Sequence, residues 1–102
     1  MKAPVVLIVD DDPLLIGLVQ HKLKSRGYTV VTAPDGATGL ERARELRPDV
    51  IVLDIMMPVL DGRLVLQRLR EDPGLSDIPV VMLTARAREE DIVDLLQLGA
   101  RD

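Results

Sequence analysis

The sequence predicts an α/β fold, a doubly wound parallel sheet with helices packed on its faces. Two observations carry that prediction. Short unbroken runs of Val, Ile and Leu, such as Val5–Val9 and Val50–Leu53, read as strands buried on both faces. Between them lie segments whose apolar residues recur at helical spacing. Strict alternation of the two types produces parallel neighbours joined by right-handed crossovers.

The elements follow in order. Val5–Val9 is the first strand, and Asp10, Asp11 and Asp12 end it. Asp12 before Pro13 reads as an N-cap followed by proline at the first helical position. The first helix runs to about Arg26, with Leu15, Val19 and Leu23 on one face, and Gly27 stops it. Tyr28–Ala33 is the second strand. Asp35–Gly36 opens a second helix, expected to turn Ala37, Leu40, Ala43 and Leu46 inward. Pro48–Asp49 is a turn, and Val50–Leu53 is a third strand ending at Asp54. A loop over Ile55–Gly62 leads to a third helix over about Arg63–Glu71, carrying Val65, Leu66 and Leu69. Asp72–Ile78 reads as a polar connection. Val80–Leu83 is a fourth strand ending at Thr84. A fourth helix is expected over about Glu89–Leu98, with Gly99 as its stop.

Composition narrows the function. The 102 residues suit a single domain, expected to span 1–102. There is one Tyr and no Phe or Trp, so the core is aliphatic and stacking platforms for single-stranded nucleic acid are excluded. The net charge is −4 with scattered basic residues, which argues against direct nucleic-acid binding. Without cysteine there is no thiolate nucleophile, disulfide or zinc–thiolate site, in keeping with a cytoplasmic setting. No apolar run is long enough to span a bilayer, and no secretory leader pattern opens the chain, so no membrane role is expected.

In open parallel sheets, sites lie at the carboxyl ends of the strands. Here those ends hold Asp10, Asp11 and Asp12 after the first strand, Asp54 after the third and Thr84 after the fourth. A nucleotide-binding sheet would put a glycine-rich loop after the first strand, and this chain puts three carboxylates there. Taken singly, each residue fits ordinary turn and cap chemistry. Their placement on one edge points to a site. Two like charges about 4 Å apart at an effective dielectric near 20 cost roughly 4 kcal/mol, so such a cluster raises its pKa values or holds a cation. An all-oxygen set with room for water suits Mg²⁺ (or Mn²⁺) and metal-assisted phosphoryl chemistry. Asp54, alone at the end of its strand, is then the natural nucleophile, and Thr84 a hydroxyl donor to phosphoryl oxygens.

Four stretches carry a family resemblance. Val6–Pro13 (VLIVDDDP) resembles the acidic opening of response-regulator receiver domains, the phosphoacceptor modules of two-component signalling. Arg47–Gly62 (RPDVIVLDIMMPVLDG) is similar to their phosphorylation segment, and Ile78–Ala85 (IPVVMLTA) to their switch-threonine strand. Leu98–Asp102 resembles the lead-in to their fifth strand. The resemblance covers essentially the whole chain and implies a flavodoxin-like fold. It implies that Asp54 takes a phosphoryl group from a histidine kinase or phosphotransfer protein, with Thr84 as the switch hydroxyl. Asp11 and Asp54 would ligate Mg²⁺, Asp10 would act largely through water, and Met56 would lend its backbone carbonyl. Ala85 is the small neighbour that leaves the phosphate accessible. The side chains of Met56 and Arg86 would tune the lifetime of the phosphoryl group. Such a domain is not an enzyme beyond weak self-phosphorylation and autodephosphorylation; it switches a partner or an output domain.

Measured against the family pattern, the chain is expected to be incomplete at its C-terminus, lacking the fifth strand, the fifth helix and the lysine that contacts the phosphoryl group. Lys2, Lys22 and Lys24 lie in the wrong places for that role. Two expectations follow: weakened phosphoryl transfer, and an open fourth-strand edge that invites a homo-oligomer or swapped dimer. A receiver fragment serving only as a dimerisation module is the alternative reading. A phosphatase of the haloacid-dehalogenase type would need a second acid two residues after the nucleophile, where this chain has Met56. His21, on the first helix, reads as a solvated surface residue rather than a phosphoryl carrier.

Overall fold

The computed structural model describes residues 3–54 and 62–83. Residues 55–61 of the expected loop and the expected fourth helix over Glu89–Leu98 lie outside the described residues. The chain order is β1 (Val5–Val9), α1 (Pro13–Ser25), β2 (Thr29–Ala33), α2 (Gly36–Leu46), β3 (Val50–Asp54), α3 (Gly62–Glu71) and β4 (Val80–Leu83). These bounds match the sequence expectation within a residue or so; Tyr28 precedes β2, and Gly62 begins α3.

The four strands form one parallel sheet in the order β2-β1-β3-β4. β1 and β3 are its inner strands, and their residues Val6, Leu7, Val52 and Leu53 are fully buried. Side chains alternate between the two faces of the sheet. Val6, Ile8 and Val52 face α1, where Val19 and Leu23 complete one cluster. Leu7, Val9, Ile51 and Leu53 face the other way, against Leu40 and Ala43 of α2 and Val65 and Leu69 of α3. The sheet is therefore covered on both faces, as a doubly wound fold requires.

The helix ends behave as their residues dictate. The Asp12 side chain accepts from the backbone N–H groups of Leu14 at 3.0 Å and Leu15 at 3.4 Å, and Pro13 opens α1. Asp35 caps α2 by accepting from Thr38 N–H at 2.7 Å. After α1 the chain reverses at Gly27, whose φ of 92° lies in the region that only glycine adopts without strain.

Two expectations for α2 are corrected. Ala37 is exposed, and Leu46 is 45% exposed. The buried stripe is instead Gly36, Gly39, Leu40 and Ala43. Gly39 sits so close to β1 that a Cβ there would lie 2.7 Å and 2.9 Å from the two methyls of Val9. The helix is held by its smallest residues, which add no hydrophobic signal to the sequence.

The 72–78 connection is also more than a polar link. Leu75 is buried in the same cluster as Leu69 and Val80. Arg70 donates from Nη1 to the carbonyls of Ser76 at 2.6 Å and Ile78 at 3.1 Å. Asp72 accepts from Gly74 N–H at 2.9 Å and pairs with Arg44 at 3.6 Å. The turn that launches β4 is thus plugged from within and tied from outside.

Candidate functional site

The site follows from strand register. β1 and β3 pair in parallel with Val9 opposite Leu53. The next residues on each strand are Asp10 and Asp54, so adjacent strands deliver two carboxylates side by side. Both share the strand parity of Ile8 and Val52, which face α1. Asp11 extends past the end of β1. The carboxylate oxygens of Asp10, Asp11 and Asp54 come within 4.8 Å of one another. Asp12 stands apart in role, because its carboxylate caps α1.

The three carboxylates differ in setting. Asp10 is buried, Asp54 is half-buried and Asp11 is exposed. The N–H of Asp10 continues the sheet ladder by donating to the Ala33 carbonyl at 3.1 Å. Its side chain turns inward and accepts from Asp12 N–H at 2.9 Å. Burial pushes its pKa up from 3.8 to about 6, and the charges of Asp54, Asp11 and Asp12 push the same way. The hydrogen bond from Asp12 opposes them without winning. Proximity and like charge make this edge a place where a cation is favoured, and three carboxylates of graded exposure can offer oxygen ligands while leaving positions for water.

The elements that place these groups are anchored at the centre of the sheet and by a helix cap. β1 and β3 are the inner strands of the sheet, and α1 is capped by the residue next to Asp11. β4 pairs with β3 so that Leu83, the last described residue, stands opposite Asp54 at the same edge of the sheet. Thr84, Ala85, Arg86 and Met56 lie outside the described residues. His21 is exposed on α1, as expected of a solvated surface histidine.

Residues 6–102 match the family of the response regulator receiver domain. The chain belongs to that family. This receiver domain is 46% identical over 99 residues to the DNA-binding dual master transcriptional regulator RpaA of Synechocystis, a match covering 97% of this chain and 41% of that protein. It spans about four-tenths of the length of that protein and of the alkaline phosphatase synthesis transcriptional regulatory protein PhoP of Bacillus subtilis. Among solved structures it is similar to the chemotaxis response regulator CheY4 of Vibrio cholerae, at a TM-score of 0.86 and 28% identity, covering 96% of this chain and 98% of that one. It is also similar to the phosphorylated cyanobacterial phytochrome response regulator RcpA, at a TM-score of 0.76 and 34% identity, covering 95% of this chain and 76% of that one. The receiver domain therefore has the flavodoxin-like fold of its family and belongs to two-component signal transduction. Among the described residues, no helix is long and apolar enough to cross a membrane.

Sequence reasoning named the acidic cluster residue by residue. It missed the inward turn of Asp10. The signal available was the position of Asp10, directly after four buried strand residues and with the strand parity of Ile8, which places it under the start of α1 rather than beyond the sheet.

Proposed function

We propose that this receiver domain takes a phosphoryl group onto Asp54 from a phosphohistidine of a histidine kinase or phosphotransfer protein. The convergence of the Asp10, Asp11 and Asp54 oxygens within 4.8 Å carries this reading. In the transfer, an Asp54 carboxylate oxygen attacks phosphorus and forms the O–P bond. The P–N bond breaks, and the imidazole nitrogen leaves with its electron pair and takes a proton from solvent. Attack by water at phosphorus later restores the carboxylate and releases inorganic phosphate.

The donor set suits Mg²⁺ or Mn²⁺, which Asp11, Asp54 and the Met56 carbonyl would hold directly and Asp10 largely through water. When bound, such an ion supplies positive charge to offset the phosphoryl oxygens. The rest falls to the chain itself. Asp54 presents its oxygen from the rigid end of β3, and the capped start of α1 fixes Asp10 and Asp11 beside it. Thr84 turns its hydroxyl to the new phosphoryl group, Ala85 keeps the approach open, and Met56 and Arg86 set how readily water follows. The added charge of about −1.5 to −2 near pH 7 biases β4 and the segment after it. That bias passes to a partner or to an output domain of a longer regulator. The chain acts throughout as a phosphoacceptor rather than a turnover catalyst.

Labelled acetyl phosphate with Mg²⁺ tests the chemistry. Incorporated label should be lost in neutral hydroxylamine, as an acyl phosphate is, and should be absent from Asp54→Asn. Label that resists hydroxylamine, or that persists in the variant, would overturn the assignment.

A further inference from the structure

We draw no further inference here: the strongest candidate, the exposed face of α1 formed by Leu14 and Leu18 beside the acidic edge, carries nothing because nothing in the structure shows what covers it.

Discussion

Burial, more than the neighbouring carboxylates, makes an ionised Asp10 costly. Its pKa rises from 3.8 to about 6, so the folded protein holds that proton more tightly than the unfolded chain does. The unfolded state then binds fewer protons across that window, and stability falls as pH rises from 3.8 to about 6. Above the window the loss is complete, on the order of 2–3 kcal/mol. Asp10→Asn keeps an acceptor for Asp12 N–H and removes the charge. Chemical denaturation should find it more stable than wild type by about 2 kcal/mol at pH 7.5 and nearly equal at pH 4. An equal difference at both values would show that Asp10 does not titrate as described. A divalent cation binds the ionised form, so Mg²⁺ should raise the melting temperature of wild type more at pH 7.5 than at pH 5. A Mg²⁺ effect independent of pH would place the ion away from Asp10.

At the scale of elements, α2 and the turn before β4 depend on contacts of opposite kind. α2 rests on a close approach that Gly39 alone permits, so Gly39→Ala should cost about 1–3 kcal/mol through overpacking against Val9. Trimming the obstacle should recover part of that cost, making Gly39→Ala with Val9→Ala less destabilising than the sum of the two single changes. A thermodynamic cycle with strictly additive terms would contradict the contact. The turn before β4 relies on Leu75 inside and Arg70 outside. Leu75→Ala should cost about 2–3 kcal/mol as a core truncation, and Arg70→Ala about 1 kcal/mol, because the carbonyls it leaves can reach water. Equal costs, measured by denaturant unfolding, would mean that the turn is held by its surface rather than by its plug.

For the molecule as a whole, chain connectivity does most of the functional placement. Each strand enters the sheet in the same direction, so every strand-terminal residue arrives at one edge. That much was legible in the sequence: unbroken Val and Ile runs marked the strands, and Asp12–Pro13 and Asp35–Gly36 marked two helix starts. The convergence of Asp10, Asp11 and Asp54 was legible for the same reason. The face of α2 was not, because Gly36 and Gly39 pack closely without being hydrophobic. Leu75 was not, because a single apolar residue in a turn has no periodicity to announce its burial. The order β2-β1-β3-β4 is that of the flavodoxin-like fold the family resemblance implies; alternation alone fixes strand direction and crossover hand but leaves lateral order open.

The most direct test of the central claim, that one edge of this sheet is a cation-assisted acceptor built around Asp54, is intact mass after incubation with acetyl phosphate, with Mg²⁺ or with a chelator. Wild type should gain a single phosphoryl adduct with Mg²⁺ and little or none with the chelator, and Asp54→Asn should gain none. An adduct on the variant, or one formed equally without a divalent cation, would contradict the account.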